Sequence, residues 1–434
     1  MSVRKIIVTK NPQTNYIILY TSSLWFAPFR TMLITIGDFV YPGAGIVLSK
    51  FSIVCFTFFL ILPIFINKEK LTYDMFLIFS FLVLSWLLGI VKNIDSLKIN
   101  FNIGISIFLK AFPYYCIARK IKNWSQTKDY FYVSGLLAAL FTAIATLFAC
   151  LNGILYTDGA IYNQFYGLML CPSMIISFIA FWEKGSIIHL LNIGITSRLI
   201  FLYGSRSPFL CLAIAICLMA LKSIDQTMRF KRIKKHICLM IGFSGLAFIS
   251  GIGILLNSMS SIREGDYISG EGNRLLILFQ RGSLLQSDER IQIYRNVLRL
   301  IAEHPLIGTG MITDRRLLAE LNGEFINFGG YYSHNFFLEI LLQYGIFLGG
   351  FLAITILYAI YSGVFKDKNI NRSILSIFCI SYGLGLVMVS GTAFAHEEFW
   401  LFMGTVVTMW VEKRISNKNP VNKSPSTLIY TKID

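Results

Sequence analysis

Long apolar stretches, separated by short polar ones, run through most of the chain. Many of them hold about 18 or more residues, which is the length that a helix needs to cross about 30 Å of hydrocarbon. They lack the alternation of apolar and polar residues that strands of a membrane barrel would show, and helices satisfy their backbone hydrogen bonds internally. The pattern therefore predicts an all-α polytopic membrane protein.

We predict about twelve transmembrane helices. They cover residues 14–36, 44–66, 72–91, 102–119, 130–152, 161–182, 186–204, 207–222, 237–257, 336–364, 373–391 and 398–413. The first is interrupted by Pro28 and Arg30, and a tight turn at 204–208 separates the seventh from the eighth. The predicted organisation is transmembrane helices 1–9 in 1–257, a partly helical periplasmic loop in 258–333, transmembrane helices 10–12 in 334–414 and a cytoplasmic tail in 415–434.

Basic residues follow the predicted spans in a regular way. They concentrate in alternate connections, such as 222–235, and in both tails. By the positive-inside rule, these connections and both termini face the cytoplasm. The formal net charge of +16 is then a topology signal, and we expect no nucleic-acid partner. The loop at 258–333 and the turn at 204–208 fall on the opposite face.

In the loop at 258–333, arginine occurs and lysine does not. Guanidinium is a planar fork that can bind a phosphate or a carboxylate through two hydrogen bonds, whereas the lysine ammonium is a point charge. Because the chain uses lysine freely elsewhere, the exclusive use of arginine in this loop indicates an anion-binding function. The loop contains no Lys and eight Arg, at positions 263, 274, 281, 290, 295, 299, 315 and 316.

Part of the loop has the pattern of an amphipathic helix. Ser287 can cap it, two acidic residues follow in the first turn where the helix dipole favours them, and His304-Pro305 ends it after Glu303. Arg290 falls on the apolar face, where a buried charge needs an anionic partner. The predicted apolar stripe is Ile291, Tyr294, Val297, Leu298 and Ile301.

Three residues are candidates for chemistry on the outer face. Arg206 lies in the turn between two spans, Arg290 on the apolar face of the loop helix, and His334 where the tenth span begins. Histidine can exchange a proton near neutral pH. Two of them have a plainer interpretation, because Arg206 could snorkel to the interface and His334 could be a hydrogen-bonding residue at a helix end.

The sequence lacks the usual patterns of nucleotide and metal chemistry. No Walker loop, dinucleotide fingerprint or Asp-x-Asp pair is present. The group His396-Glu397-Glu398 could ligate a metal, but it is more typical of a loop between two spans. The eight cysteines lie in or beside apolar runs and are typical of small core residues. We therefore expect no metal and no cofactor.

Four motifs follow one another in a fixed order along the second half of the chain. They are Gly204-Ser205-Arg206-Ser207-Pro208-Phe209-Leu210, Asp288-Glu289-Arg290-Ile291-Gln292-Ile293-Tyr294, Ala302-Glu303-His304-Pro305-Leu306-Ile307-Gly308-Thr309-Gly310, and Ser333-His334-Asn335-Phe336-Phe337-Leu338 with the later Gln343-Tyr344-Gly345. Together they resemble the bacterial O-antigen polymerase and O-antigen ligase superfamily, whose members are metal-independent integral-membrane glycosyltransferases of the GT-C type. Two positions depart from the pattern of that family: Gln343 replaces a usual Glu, and Ser207 replaces a common Gly.

The resemblance implies a donor, a membrane and roles for residues. The donor would be an oligosaccharide on undecaprenyl diphosphate, used at the periplasmic face of the bacterial cytoplasmic (inner) membrane. Arg206 and Arg290 would hold the diphosphate, and His334 would accept the proton of the acceptor hydroxyl. Tyr294, Tyr332 and Asn335 are candidate substrate-binding residues. The lipid bilayer and a chain-length regulator are further candidate partners.

Three functions remain open at this point. A polymerase that joins repeat units for O-antigen or capsule is the first hypothesis, and a ligase that transfers the glycan to lipid A–core shares its donor and motifs. A flippase or transporter is the third. Transporters generally carry ionisable residues within their spans, and here Arg30, Lys50, Lys110 and Arg198 are present with almost no carboxylates. The long Arg-rich loop favours the first two.

Overall fold

The structure is a computed structural model that describes residues 12–66, 72–92, 101, 104–152, 164–203, 205, 207–225, 288–311, 313–321, 333–388 and 396–418. Regular secondary structure in these ranges is helical throughout, and they contain no strand. The helices are α1 (Pro12–Val40), α2 (Ala44–Ile66), α3 (Tyr73–Lys92), α4 (Phe112–Lys120), α5 (Trp124–Leu151), α6 (Gln164–Lys184), α7 (Ile187–Leu202), α8 (Ser207–Asp225), α9 (Asp288–Glu303), α10 (Thr313–Leu321), α11 (Phe336–Tyr361), α12 (Ile370–Cys379), α13 (Gly385–Val387) and α14 (Glu397–Lys418).

Three π-helical turns extend these elements. Ile107–Ala111 leads into α4, Ser362–Lys366 follows α11, and Ile380–Leu384 joins α12 to α13. A helix occurs at each predicted span except 237–257, which lies outside the described residues. Six helical segments within the described ranges are long and apolar enough to cross a membrane: Gln13–Val40, Tyr73–Val91, Trp124–Leu151, Tyr166–Lys184, Phe336–Lys366 and Ile370–Val387. The all-helical membrane-type fold is thus confirmed, and the number twelve stays a prediction.

The bundle has central and peripheral helices. The segments Tyr166–Lys184 and Ile370–Val387 are buried over more than four-fifths of their length, whereas only 22% of Tyr73–Val91 is buried. Close packing in the centre uses small residues; a Cβ at Gly135 of α5, for example, would lie 2.9 Å from Ile176 of α6. The exposed apolar side chains of peripheral helices are the surface that a bilayer would cover.

Charged residues at the predicted cytoplasmic end are paired. Arg119 Nε lies 2.7 Å from Asp74 Oδ2, and Lys128 Nζ lies 2.9 Å from Glu183 Oε2. Arg372 is buried together with Asp367. A buried charge needs such a partner. The basic residues that the sequence presents as a topology signal therefore also join helix ends within the bundle.

A second, smaller core lies beside the main bundle. It is formed by α9, α10 and the first turns of α11, and its buried members are Val297, Leu300, Ile301, Leu318 and Leu342. Most of the loop between the ninth and tenth predicted spans lies outside the described residues, and α9 and α10 are the helical parts of it that are described. This core holds two pieces of the loop against the helix that His334 precedes.

Candidate functional site

His334 has an unusual backbone conformation. Its φ is +50°, and it is the single non-glycine residue with a positive φ in the described ranges. A left-handed conformation at a non-glycine residue costs on the order of 1–3 kcal/mol and persists only where the surroundings determine it, although histidine tolerates it better than most residues. The structure therefore has to hold His334 in place.

The residues on either side of His334 supply part of this restraint. Asn335 is the N-cap of α11, where its side-chain oxygen accepts hydrogen bonds from the backbone N–H groups of Phe337 and Leu338 at 3.0 and 3.2 Å. Ser333 is buried, and its hydroxyl donates to the Asn335 carbonyl at 3.0 Å. Asn335, predicted as a substrate-binding residue, has a capping function in the structure.

The predicted loop helix is confirmed, since α9 extends from Asp288 to Glu303. The predicted apolar stripe is wrong in part. Ile291 and Leu298 are 52% and 56% exposed, and the buried face is formed by Val297, Leu300 and Ile301. The reason is that apolar residues occupy two different edges of this helix, and the tertiary contact with α11 selects one of them.

Tyr294 connects α9 to His334. The hydroxyl of Tyr294 lies 3.4 Å from the carbonyl oxygen of His334, within reach of a long hydrogen bond that the hydroxyl donates. Tyr294 is half-buried. The sequence motif that contains Arg290 and the motif that contains His334 are therefore adjacent in space, which neither motif indicates alone.

Helix α11 is broken at Gly345, although the sequence predicted one continuous helix from 336. Gly345 has φ +76° and ψ 175°, a conformation that is almost confined to glycine. In a continuous helix the N–H of Ile346 would donate to the carbonyl of Leu342. That pairing is lost here, so the donors and acceptors around the break need other partners.

The turn after α9 provides these partners. The backbone N–H groups of Thr309 and Gly310 donate to the carbonyls of Leu342 and Gln343 at 2.8 and 3.0 Å, and the N–H of Ile346 donates to the carbonyl of Pro305 at 2.8 Å. We call this contact, between residues 305–310 and 342–346, the joint.

Close approach in the joint requires glycine on both sides. Gly308 has φ +69°, and a Cβ on it would lie 2.5 Å from the nitrogen of Gly345. A Cβ on Gly345 would lie 2.4 Å from the carbonyl oxygen of Leu306. These are backbone atoms that cannot rotate away. The His-Pro-Leu-x-Gly-x-Gly motif and the later Gly345 are thus two halves of one structural element.

A buried polar cluster lies next to the joint. The Nε2 of Gln343 lies 3.2 Å from Asp314 Oδ2 and 3.2 Å from Glu339 Oε1, and all three side chains are buried. The other oxygen of Asp314 is buried without a hydrogen-bond partner among the described residues. Burial raises the pKa of the Asp314 carboxyl above its ordinary value, and the charge of Arg315 opposes this.

The turn that contains Arg206 is described only in part. Tyr203 and Ser205 are described and buried, and a Cβ on Gly167 of α6 would lie 2.5 Å from the Cβ of Ser205. The hydroxyl of Ser205 is buried and lacks a hydrogen-bond partner in the described part of the chain. Ser205 is therefore packed tightly against α6.

A series of contacts connects this turn to the start of α11. A Cβ on Gly385 would lie 2.9 Å from the Sγ of Cys211, one turn into α8, and a Cβ on Gly383 would lie 2.7 Å from the nitrogen of Phe399. The ring of Phe399 lies 5.1 Å, centroid to centroid, from that of Phe336, two residues after His334. The first turns of α8, α11 and α14 thus share one end of the bundle.

The structure describes only some of the predicted site residues. His334 and Tyr294 are brought together, and Asn335 adjoins them. Arg206 and Tyr332 lie outside the described residues, as does the side chain of Arg290, whose position in α9 is seven residues before the buried Val297. Their roles stay predictions.

The predicted loop character of His396-Glu397-Glu398 is wrong for its two acidic residues, which form the first turn of α14. Glu397 pairs with Lys110 at 3.0 Å, and Glu398 is buried. Within the described ranges, no group of three or more His, Cys, Asp or Glu side chains could hold a metal ion.

Sequence reasoning missed the joint and the polar cluster. The sequence around Thr309, Asp314 and Glu339 does not distinguish these residues from ordinary polar residues. The signal that could have found the joint is the pair of motifs with conformationally permissive glycines, Gly308-Thr309-Gly310 and Gln343-Tyr344-Gly345. Nothing local indicates that Asp314 lies beside Gln343.

These features define a class of protein. It is a helical membrane-type protein in which α9 and α10 pack against α11, and His334 lies just before α11. The comparison with protein families is more specific. Residues 191–355 match the family model described as O-antigen ligase, and this segment contains α7 to the middle of α11. This segment, which is less than half of the chain, is thus similar to that family, and the match supports the resemblance to the O-antigen polymerase and ligase superfamily, whose members are glycosyltransferase-like enzymes. No curated protein matches the chain, and no solved structure matches it either.

Proposed function

We propose that the protein is a polysaccharide polymerase of a bacterial inner membrane. It joins oligosaccharide repeat units that are linked to undecaprenyl diphosphate, for O-antigen or capsule, at the periplasmic face. The observation that carries the proposal is the placement of the His334 segment: it adjoins α9, which includes position 290, and shares one end of the bundle with the first turn of α8, which follows Arg206.

The proposed reaction is an inverting transfer without a metal. An acceptor hydroxyl attacks the anomeric carbon of the donor glycan, the bond from that carbon to the diphosphate breaks, and undecaprenyl diphosphate leaves. His334 accepts the proton of the hydroxyl. Arg206 and Arg290 offset the charge that develops on the diphosphate. Tyr294, Asn335 and Tyr332 are proposed to contact the glycan.

The topology proposed for this reaction has about twelve spans with both termini in the cytoplasm. The paired charges Arg119–Asp74 and Lys128–Glu183 would then lie at the cytoplasmic end. The His334 segment would lie at the periplasmic end, under the loop. The glycosyl–diphosphate bond supplies the free energy, so no nucleotide is needed on that side.

A ligase is the second candidate, because the matched family carries that description. Deletion of the gene, with the surface polysaccharide separated on a gel, distinguishes the two. Loss of a polymerase leaves lipid A–core with a single repeat unit. Loss of a ligase leaves bare core, with the glycan accumulating on its lipid carrier.

Single variants then test the proposed residues by complementation. We expect His334→Ala, Arg206→Ala and Arg290→Ala each to abolish polymer while the protein stays in the membrane. Arg290→Lys should not restore it, because ammonium cannot form the two-hydrogen-bond contact. Full-length polymer from all three alanine variants would refute the mechanism. Loss of polymer from Gly350→Ala as well, a control away from the site, would show that the assay reports only general damage.

A further inference from the structure

Helix α9 carries an apolar surface that the described part of the protein does not cover. Its buried face is formed by Val297, Leu300 and Ile301, whereas Ile291 and Leu298 are 52% and 56% exposed. With 3.6 residues per turn, Ile291, Leu298 and the exposed Ala302 lie within about 40° of one another around the helix. We call these three residues the apolar edge of α9.

The apolar edge continues into the turn that follows the helix. Leu306 and Ile307 are 65% and 77% exposed, although both belong to the joint that is fixed by hydrogen bonds to α11. A soluble surface rarely places adjacent large aliphatic side chains in water on a rigid turn. Their exposure indicates a covering surface that is apolar.

The turn borders the surface that α11 presents to the bilayer. The N–H of Ile346 donates to the carbonyl of Pro305 at 2.8 Å, so Leu306 lies beside the point where the segment after Gly345 begins. From there the exposed side chains are apolar, with Ile346, Phe347 and Phe351 all at least half exposed. The apolar edge, the turn and the exposed side of α11 form one continuous surface.

Basic residues border the apolar edge on its other side. Arg295 and Arg299 are exposed and lie one step further around α9, and Gln292 lies beyond them. The Nε of Arg299 pairs with Glu303 at 2.8 Å, and its side chain is still 66% exposed. An apolar stripe with arginines along its border is typical of a helix that lies in the interface of a membrane, where guanidinium groups reach the phosphates.

We propose that the apolar edge of α9, with Leu306 and Ile307, is inserted into the interface of the leaflet that α11 enters at Gly345, with Arg295 and Arg299 directed to lipid phosphates. The loop is then supported by the bilayer as well as by the bundle. The continuity with the exposed surface of α11 favours lipid over a second copy of the chain. This inference requires a membrane but does not depend on the proposed reaction.

Fluorescence quenching in nanodiscs tests the proposal. An environment-sensitive fluorescent amino acid is incorporated at position 298 or 307 of the full-length protein, which is reconstituted in phosphatidylethanolamine and phosphatidylglycerol. Position 351 is the control for a lipid-facing residue, and position 292 is the control for a water-facing residue on the same helix. Lipids brominated near the glycerol backbone quench from the interface, and iodide quenches from water.

We expect positions 298 and 307 to be quenched by brominated lipid, as position 351 is, and to be protected from iodide. Quenching by iodide to the same degree as position 292 would overturn the proposal. Protection from both quenchers would overturn it too, because protein, such as a second copy, would then cover this surface. Since both side chains are more than half exposed, their replacement should leave folding intact, which a size-exclusion profile checks.

Discussion

The backbone N–H of Thr309 donates to the carbonyl of Leu342 at 2.8 Å, across a break in the helix that Leu342 belongs to. Hydrogen bonds of this kind replace those that α11 loses at Gly345. The turn after α9 is therefore held by main-chain atoms to the short helical segment that His334 precedes. The geometry of the candidate site depends on this joint.

Gly345→Ala should destabilise the protein, whereas Gly350→Ala should not. The added Cβ at position 345 would meet a carbonyl oxygen at 2.4 Å and require a positive φ, but no atom of the described residues lies within 4 Å of a Cβ at position 350. We expect a loss of more than about 1 kcal/mol at position 345 and a gain of about 0.5–1 kcal/mol at position 350. Thermal unfolding in detergent measures both. Equal effects at the two glycines would contradict the joint.

Gln343→Glu should destabilise the protein, although glutamate is the usual residue at this place in the family that the chain resembles. In this chain the amide of Gln343 donates to both Asp314 and Glu339. Glutamate would remove the donor and add a third carboxyl, and each buried acceptor left without a partner costs about 1–3 kcal/mol. Gln292→Glu, at an exposed position of α9, should change stability by less than about 0.5 kcal/mol. Unchanged stability of Gln343→Glu would show that the polar cluster is not formed.

Asp314 should make stability depend on pH. Its pKa is raised in the folded protein because the carboxyl is buried, so folding favours the protonated form. The contribution to stability is complete below the ordinary value of 3.8 and is lost as the pH rises through the raised value. The charge of Arg315 on α10 and the hydrogen bond from Gln343 on α11 act on this pKa in the opposite direction to burial, and Glu339 accepts from the same Gln343 amide.

Asp314→Asn isolates this contribution. The variant keeps an acceptor for Gln343 but cannot ionise, so its stability relative to the unmodified protein should increase with pH. Thermal unfolding over a pH series provides the comparison. Asp129→Asn, at a side chain that is 58% exposed, is the control and should show no such trend. A constant difference between Asp314→Asn and the unmodified protein at every pH would be the contrary result.

Asn335 variants separate capping from substrate binding. As the N-cap of α11, Asn335 accepts two backbone hydrogen bonds through its side-chain oxygen. Asn335→Ala should lose about 1 kcal/mol of stability, whereas aspartate is an equally good cap. Asn335→Asp should therefore retain stability but make less polymer, because it lacks the amide N–H groups that are proposed to contact the glycan. Full-length polymer from a stable Asn335→Asp would show that Asn335 acts as a cap alone.

Much of the fold follows from local patterns. The lengths of the apolar runs were sufficient to predict where α1 to α8 lie, because burial in a membrane constrains length and composition over each helix separately. The end signals around α9, with acidic residues at Asp288 and Glu289 and a proline at position 305, were sufficient to place that helix. These features depend on neighbours in the sequence.

The features that were missed depend on distant contacts. The run from 336 to 364 is mostly apolar, and no neighbouring residue distinguishes Gly345 from Gly349 and Gly350 in the same run. The break at Gly345 is stabilised by a turn that precedes α10. Likewise, Leu300 and Leu298 lie on different sides of α9. The spacing of apolar residues along the helix does not determine which of the two packs on α11. The approach of Tyr294 to His334 results from that same packing.

The joint is made of backbone groups and two glycines, and this has a consequence for how related chains can diverge. A hydrogen bond between main-chain atoms does not depend on the side chains of Leu306 or Ile307, so those residues can be exchanged while the joint persists. Gly308 and Gly345 have no such freedom. In any lineage that keeps this arrangement, we expect both glycines to be inherited together, and a lineage that has replaced one should have rebuilt the other side as well.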